Sequence, residues 1–360
     1  MTRGTGLAVA TLAIVASAAG CGSPGPAATE ITLLGYSTGG FREQYTKAVI
    51  EPFELAHPGV RVTFYGVRNS ATELAVLRGH QGQDSPPPAD ATIIDLSVAK
   101  IASDEGLLEE IRLDRVPNAR NLQAIGAELG AFGLPVTYDT LALIYDTRVI
   151  TPAPTSWTAL WDPAHKGRVV VPAEGGGDIQ AISLTIVANR LAGNDDYTRD
   201  LTPGIERLTA LAPLVQTWEP KPDAYTLVAS GSADLAIGWN ARSQFHVNES
   251  QGRLGSVLPT EGTVSQVNVI SAVKGTRQRE LVETFIDYAL GAEAQARFSA
   301  AMYYAPTNGT VQLDAATSQR IPLLNDANRA RLIPVDWLQM GAMRERMLEP
   351  WRRTIIPASR

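Results

Sequence analysis

The sequence contains very little cysteine and no clustered histidine. Cys21 is the only cysteine among 360 residues, which excludes an intrachain disulfide and a multi-cysteine metal site. The four histidines are far apart and lack metal-ligand spacing, and no GxSxG, HExxH or lysine-containing phosphate loop occurs. These absences argue against an enzyme, and we expect no metal and no other cofactor.

Basic runs and long apolar runs are also missing from most of the chain. The formal net charge is −6, and with no cluster of lysine or arginine this charge argues against a nucleic-acid partner. Apart from one apolar stretch near the start, the composition is that of a globular protein, with 44% hydrophobic and 19% charged residues. The length predicts two domains.

Residues 1–20 have the pattern of a secretory signal. Arg3 gives a positive start, and the apolar segment 7–19 is too short to span a bilayer. The lone Cys21 directly after this segment resembles a bacterial lipobox, in which the cysteine is lipidated; an ordinary secreted protein with an idle thiol is the open alternative. Residues 21–29 are small, polar and rich in Pro and Gly, as in a flexible tether. We therefore expect lipid anchoring on the outer face of the cell membrane.

Short apolar runs then alternate with amphipathic stretches. Runs typical of strands cover 31–35, 60–65, 91–95, 169–172, 234–239 and 267–273. Stretches typical of helices cover 41–55, 71–78, 98–105, 179–191, 204–212 and 279–290. This alternation predicts an α/β fold with mainly parallel sheets flanked by helices. Residues 134–147 have the alternation of a long extended segment, and we interpret them as a crossing between two lobes.

Several segments of the chain have the character of family motifs. The main one is PTSWTALWDPAHKGRVVVP at 154–172, preceded by GLPVTYDTLALIYDT at 133–147. Further segments of this kind are 89–97, 105–111, 230–240, 259–273, 285–295 and 303–308. Together these motifs resemble those of the extracellular solute-binding proteins of ABC importers, in the branch that includes polyamine, ferric-iron and thiamine binders. They occur in the family's order and cover nearly all of the chain after the signal.

The resemblance implies a periplasmic-binding-protein-like fold of two α/β lobes with a hinge of two crossing segments. Lobe one is expected to comprise 30–137 plus 266–310, and lobe two 138–265 plus 311–360. The ligand is then buried between the lobes as they close. The implied partners are a small-molecule solute and the permease subunits of an ABC transporter, with no nucleic acid, and we expect a monomer.

In lobe one, candidate ligand contacts follow the first and third strands. Tyr36, Ser37 and Thr38 come directly after the first strand, and Asp95 and Ser97 end the 91–95 strand. Strand ends and helix starts meet at one edge of a doubly wound sheet, where a ligand binds. Helix capping by these short polar side chains is the alternative.

In lobe two, candidate contacts lie around a glycine run and at the end of another strand. In polyamine binders this loop carries carboxylates that pair with ligand ammonium groups, and Glu174 and Asp178 fall at or within one residue of those positions. The three glycines between them could instead form a backbone nest for an anion, with Asp178 only capping a helix. Trp239 and Asn240 end the 234–239 strand, where the family often stacks an aromatic ring on its ligand.

Other positions depart from the polyamine pattern. Gln266 and Asn268 stand where a polyamine binder offers an aromatic ring and a carboxylate, which argues against a doubly charged polyamine. Tyr303 and Tyr304 resemble paired tyrosines that ligate ferric iron, but in this motif a single tyrosine, Tyr304, lines organic-ligand sites. Gln339 is a further candidate that could reach the cleft from lobe two.

The favoured ligand is accordingly a small amine-containing solute, either polyamine-like or zwitterionic. A ferric-iron, thiamine or aminophosphonate binder on the same fold remains an alternative. A surface-attached hydrolase and a sensory or adhesive lipoprotein are the rival classes. An enzyme would turn its compound over and an adhesin would bind a macromolecule, whereas a transport receptor would be stabilised by ligand and consume nothing.

Overall fold

The computed structural model describes residues 29–123 and 132–359, together with Met1. The predicted signal, the tether up to residue 28 and the predicted lipidation site Cys21 lie outside the described residues. In the described part, none of the helices combines the length and the apolar character needed to cross a membrane.

The strands of the described residues form one continuous sheet. They are β1 (Thr29–Tyr36), β2 (Val60–Val67), β3 (Ala91–Asp95), β4 (Leu108–Glu109), β5 (Leu134–Asp146), β6 (Val169–Val170), β7 (Val215–Thr217), β8 (Leu235–Trp239), β9 (Leu254–Val257) and β10 (Ser265–Val273). The order is β2-β1-β3-β10-β5-β8-β6-β7, with β4 beside β10 and β9 beside β5.

The helices pack on both faces of this sheet. They are α1 (Phe41–Tyr45), α2 (Glu51–Ala56), α3 (Ser70–Arg78), α4 (Leu96–Asp104), α5 (Asp178–Leu191), α6 (Thr202–Leu211), α7 (Ala224–Ser230), α8 (Asn240–Glu249), α9 (Arg279–Ala289), α10 (Ala292–Met302), α11 (Ala315–Gln319), α12 (Asp326–Arg329) and α13 (Trp337–Pro350). A π-helical turn (Thr46–Ile50) joins α1 to α2, so the predicted helix at 41–55 is continuous but irregular. Short 3-10 turns fill several of the connections.

The α/β fold class is confirmed, with parallel pairing at both ends of the sheet. β1 pairs in parallel with β2 and β3, and β6 pairs in parallel with β7 and β8. The middle is antiparallel, because β10 pairs with β3 and β5 while β5 pairs with β8 and β9. The sheet is therefore two parallel edges joined through an antiparallel centre.

Strand β5 connects the two ends of the sheet, as its long alternating sequence predicts. Its first part pairs with β10 as far as Thr140, and its second part pairs with β8 from Leu141 onward. The whole strand is buried. One thirteen-residue strand thus belongs to both halves, and the cavity described below lies where these halves meet.

Alternation along the strands explains why both faces of the sheet are covered. In β1, Ile31 and Leu33 join one hydrophobic cluster, whereas the intervening side of the strand contributes Leu34 to another. Successive side chains of a strand point to opposite faces, so each face needs its own layer of helices. This arrangement leaves the strand ends free to form a binding edge.

Helix starts differ by a residue or two from the predicted ones because of capping. The Asn69 side chain accepts a hydrogen bond from Thr72 N at 2.9 Å, and α3 begins at Ser70. Asp95 caps α4, which therefore begins at Leu96 rather than at 98. Capping side chains satisfy backbone N–H groups that have no partner within the helix.

The C-terminal segment contacts both halves of the molecule. In α13, a side chain at Gly341 would meet Ile101 of α4 at 3.2 Å, so the two helices pack closely there. Trp337 Nε1 donates to Ser265 O at 2.8 Å, and Trp351 Nε1 donates to Thr185 Oγ1 of α5 at 2.9 Å. This segment holds Arg344 at the wall of the cavity.

Candidate functional site

A cavity of about 340 Å³ lies between the two halves of the sheet. It is bordered by the carboxyl ends of β1, β3 and β8, where Tyr36, Asp95 and Trp239 are the last strand residues. Ligand pockets typically measure about 300–1,000 Å³, so this cavity suits a small molecule. The edge of the sheet that the sequence predicts for binding is where the cavity lies.

Seven of the predicted ligand contacts line this cavity. They are Tyr36, Thr38, Asp95, Glu174, Asp178, Trp239 and Gln266. The first three and Gln266 come from the half built on β1, β3 and β10, while the others come from the half built on β6 and β8. The structure therefore brings together residues that lie up to 230 positions apart in the chain.

Asp95 both caps a helix and faces the cavity. Its Oδ1 accepts from Ser97 N at 3.0 Å and from Ser97 Oγ at 2.6 Å, and its Oδ2 accepts from Gln266 Nε2 at 3.0 Å. Burial raises the pKa of Asp95, while the hydrogen bonds from Ser97 and Gln266 and the charge of Arg344 act in the opposite direction. Much of its accepting capacity is already used within the wall.

The glycine run places two carboxylates in different surroundings. Glu174 is exposed at the cavity mouth, and its carboxylate makes no hydrogen bond or ion pair with the described residues. Asp178 is the first residue of α5 and pairs with Arg344 from α13. Asp178 does not cap this helix, whose N-cap Gly177 has no side-chain hydrogen bond. Only Glu174 offers an uncompensated negative charge here.

The backbone of the glycine run packs against residues of the opposite half of the molecule. A side chain at Gly176 would stand 1.8 Å from Asn69 Nδ2, and the φ of Gly176 is +109°. At Gly175 a side chain would meet Glu219, which in turn pairs with Arg68 across the mouth at 3.4 Å. The two edges of the cavity are therefore in contact.

Arg242 brings a positive charge to the cavity wall beside Tyr36. Its guanidinium lies over the ring of Tyr36, with Cζ 4.7 Å from the ring centroid. No carboxylate of the described residues lies within 4 Å of it, and its Nε is buried without a hydrogen-bond partner. Gly39 permits this placement, since its φ is +62° and a side chain there would meet Arg242 Cδ at 3.0 Å.

The carboxylate of Asp139 is buried and accepts hydrogen bonds from the backbone. Asp139 accepts from Thr140 N at 2.7 Å and from Ala241 N at 3.0 Å. Burial raises the pKa of Asp139 to about 7, although these hydrogen bonds and the Arg242 charge lower it. Because its oxygens face backbone N–H groups, Asp139 does not pair directly with the guanidinium.

Three predicted contacts lie behind the cavity wall. Asn268 Nδ2 donates to the Tyr36 hydroxyl at 3.0 Å and to Thr137 Oγ1 at 2.9 Å. The Tyr304 hydroxyl is 3.3 Å from that of Tyr36. The Ser97 hydroxyl donates its hydrogen bond to Asp95. These side chains support wall residues and do not line the cavity.

The remaining predicted contacts also lie away from the cavity wall. Ser37 Oγ donates to Val67 O at 3.2 Å, and Asn240 Nδ2 donates to Arg320 O at 3.0 Å. Gln339 is exposed near the start of α13, where its backbone N–H is bonded to Asp336. The Tyr303 hydroxyl accepts from Asn248 and Arg320, so it is separated from that of Tyr304.

Sequence reasoning missed several wall residues that carry charge or hydrogen-bonding groups. They are Arg68, Asn69, Asp223, Tyr225, Arg242 and Arg344. Two of them had a readable signal. Arg68 directly follows β2, which is again a strand end, and Arg242 is a cation in the first turn of α8, where the helix dipole disfavours positive charge. Arg344 and Tyr225 reach the cavity only through tertiary packing.

Among the residues with described positions, no group of three His, Cys, Asp or Glu side chains is close enough to hold a metal ion. The groups that face the cavity are instead arginines, carboxylates, amides and aromatic hydroxyls. Such a set can bind a small polar molecule through charge-assisted hydrogen bonds. Among the described wall residues, the Glu174 carboxylate makes no ion pair or side-chain hydrogen bond, and the Arg242 guanidinium has no carboxylate partner.

Comparison with known proteins gives one family. A family model described as bacterial extracellular solute-binding protein matches residues 48–324. The gamma-aminobutyric acid-binding protein of Pseudomonas aeruginosa PAO1 is 26% identical over 260 residues, which cover 69% of this chain and 71% of that protein. A periplasmic binding protein from A. tumefaciens R10 in complex with agropinic acid has a TM-score of 0.74 at 21% identity, covering 91% of this chain and 99% of that one. The Atu4243-GABA receptor has a TM-score of 0.71 at 18% identity, covering 90% and 97%.

Proposed function

The chain belongs to the family of bacterial extracellular solute-binding proteins, and we propose that it captures a small zwitterion with an amine and a carboxylate for an ABC importer. The family functions outside the cytoplasm and consists of binding proteins rather than enzymes. The proposal concerns the ligand, the anchoring and the importer.

The observation that carries the ligand proposal is that one cavity wall contains an anionic and a cationic side chain, neither of which forms an ion pair with the described residues. Arg242 has no carboxylate within 4 Å in the described part of the chain, and Glu174 has no cationic partner there. Arg242 is partly buried, and a buried charge is costly unless it is paired and hydrogen-bonded, whereas the exposed Glu174 is open to an incoming cation. A solute with a carboxylate at one end and an ammonium group at the other would pair both.

The similarity to a gamma-aminobutyric acid-binding protein supports the same chemistry, since γ-aminobutyric acid carries one group of each sign.

A diamine suits the cavity less well. Asp178 is already compensated by Arg344, and the Asn268 amide donates to Tyr36 behind the wall. Asp95 and Asp223 already accept hydrogen bonds at the starts of α4 and α7. Glu174 is therefore the one described wall carboxylate that makes neither an ion pair nor a hydrogen bond. Ferric iron has less support, because the hydroxyls of Tyr303 and Tyr304 are bonded to different partners.

We further propose that the two halves are the lobes of a hinge, 30–137 plus 266–310 and 138–265 plus 311–360. Strand β5 supports this division, since its pairing changes from β10 to β8 after Thr140. The C-terminal segment modifies it, because α13 contacts α4 near Gly341 and is joined to α5 by the Arg344–Asp178 ion pair. Ligand contacts to both halves would favour the closed state.

The proposed anchoring rests on the lipobox-like sequence that ends at Cys21. A lipid on this cysteine would hold the receptor on the outer face of the cell membrane beside its permease, and the segment up to residue 29 would act as a tether. One acyl chain alone gives reversible binding, so firm anchoring needs more than one.

A thermal-shift screen tests the ligand class. We would compare γ-aminobutyrate, 5-aminovalerate, putrescine, thiamine, an aminophosphonate and ferric citrate. A ligand at 100 times its Kd stabilises the folded state by about 2.7 kcal/mol. We expect the ω-amino acids to stabilise most and to be recovered unchanged after incubation. Stabilisation by putrescine or ferric citrate alone would reject the zwitterion.

A further inference from the structure

The Tyr225 hydroxyl has a hydrogen-bond direction fixed by its surroundings. Its oxygen accepts from Trp239 N at 2.8 Å, so its own proton must point elsewhere. No other group of the described residues forms a hydrogen bond with this hydroxyl, although Tyr225 lines the cavity. Tyr225 therefore has a free donor at the wall.

The ring of Tyr225 is held rigidly. It stacks on the imidazole of His246 with centroids 5.1 Å apart and an interplanar angle of 3°. On another side, Gly238 leaves room for it, since a side chain there would meet Tyr225 Cε1 at 2.6 Å. A donor on a rigid ring loses little conformational freedom when it binds a ligand.

Tyr36, the other tyrosine that lines the cavity, has a hydroxyl that is already hydrogen-bonded to neighbouring side chains. The Tyr36 hydroxyl is shared between Asn268 and Tyr304, and the ring of Tyr36 lies beneath the Arg242 guanidinium. Tyr36 thus supports the arginine through its ring and is bonded behind the wall through its hydroxyl. Tyr225 and Arg242 are left as the donors available to a ligand at this end.

We propose that Arg242 and Tyr225 form a clamp for a single carboxylate, with Arg242 supplying the charge and Tyr225 a directional hydrogen bond. This inference rests on the proposed function and names the part of the ligand that this end binds. One guanidinium without a carboxylate partner among the described residues matches one negative charge. A phosphate dianion would add excess negative charge to a cavity already lined by Asp95, Glu174 and Asp223.

Acid and amide pairs of one compound test the clamp. We would measure the Kd of γ-aminobutyrate and of 4-aminobutyramide by calorimetry for the wild type, Tyr225→Phe and Arg242→Gln, with Tyr65→Phe as an exposed control. The wild type should prefer the acid. Tyr225→Phe should reduce this preference about tenfold, and Arg242→Gln should abolish it, in line with charge-assisted hydrogen bonds.

The ratio of the two affinities separates recognition from folding. If Tyr225 only supported Trp239, its substitution would weaken acid and amide equally and leave the ratio unchanged, which would overturn the clamp. Equal wild-type affinity for acid and amide would also overturn it.

Butyrate separates failure of the clamp from failure of the proposed amine recognition. At matched ionic strength, butyrate should raise the melting temperature of the wild type and of Tyr65→Phe, whereas the Arg242→Gln variant should not respond. If γ-aminobutyrate binds no better than butyrate, the zwitterion proposal fails while the clamp stands. If butyrate stabilises the wild type and Arg242→Gln equally, or neither of them, the clamp is rejected.

Discussion

Arg344 and Asp178 form an ion pair at the cavity wall although 166 residues separate them in the chain. The pair joins the C-terminal helix α13 to the first residue of α5. Both side chains are partly shielded, with exposed fractions of 19% for Arg344 and 33% for Asp178. The two carboxylates that flank the glycine run therefore differ in availability to a ligand. Asp178 is neutralised by Arg344, whereas Glu174 has no cationic partner among the described residues.

This pairing predicts a change of ligand preference in Arg344→Gln. Loss of the guanidinium would leave Asp178 free to bind a second ammonium group, so the affinity for putrescine relative to γ-aminobutyrate should rise by roughly tenfold. Calorimetric titration with both compounds measures the ratio. The exposed Arg353→Gln, which leaves the cavity intact, should keep the wild-type ratio, and an unchanged ratio in Arg344→Gln would show that Asp178 does not become available.

Glu174→Gln tests the proposed amine partner. The substitution keeps the size of the side chain and removes its charge, so binding of an ω-amino acid should weaken about tenfold or more. Glu206→Gln on the exposed surface of α6 is the matched control and should bind like the wild type. Unchanged or tighter binding by Glu174→Gln would remove this residue as the ammonium partner.

Cys21→Ser tests the anchoring. A serine cannot receive the lipid, so the protein should move from the membrane fraction to the medium when the variant is expressed in its native host. Ser23→Ala, two residues away in the tether, should remain with the membrane. Retention of Cys21→Ser in the membrane after removal of its signal would contradict the lipobox interpretation.

The sequence predicts the cavity residues best where a strand ends. Tyr36, Asp95 and Trp239 line the cavity because parallel strands of an α/β sheet present their carboxyl ends at one edge. Position relative to a strand is a local property, and hydrophobic periodicity reveals it. The same reasoning could have found Arg68, which follows β2.

Prediction fails where a side chain depends on distant partners. Asn268 and Tyr304 have polar groups at plausible positions, but both are bonded to the Tyr36 hydroxyl and lie behind the wall. Arg344 lines the cavity only because α13 packs across α4 and α5. Such placements arise from tertiary packing between segments that are far apart in the chain, and no local pattern records them.

Gly176 tests the closure of the proposed lobes. The wild type should become more compact on ligand binding, with a smaller radius of gyration by X-ray scattering. In Gly176→Ala the new methyl group would collide with Asn69 when the halves meet, so compaction and affinity should both decrease.

Gly193→Ala is the matched control for this variant. Gly193 also has a positive φ, +83°, but nothing lies within 4 Å of the position a side chain would take. Backbone strain is thus present in both variants, and only Gly176→Ala adds a contact with the opposite half. Identical scattering of unliganded and saturated wild-type protein would indicate a rigid site.

Asp139 predicts a pH dependence of stability. Burial raises its pKa to about 7 in the folded protein, whereas an unfolded chain has an aspartate pKa of about 3.9. Between these values the folded state holds a proton that the unfolded state has released, so this group makes the free energy of unfolding fall as pH rises toward 7 and then level off.

Asp139→Asn keeps an oxygen for the N–H groups of Thr140 and Ala241 and removes the titration. Urea unfolding at several pH values from 5 to 8 should show a smaller decline in the variant, by roughly 1 kcal/mol per pH unit below pH 7. The exposed Asp84→Asn should retain the wild-type slope, and equal slopes in Asp139→Asn and the wild type would contradict the raised pKa.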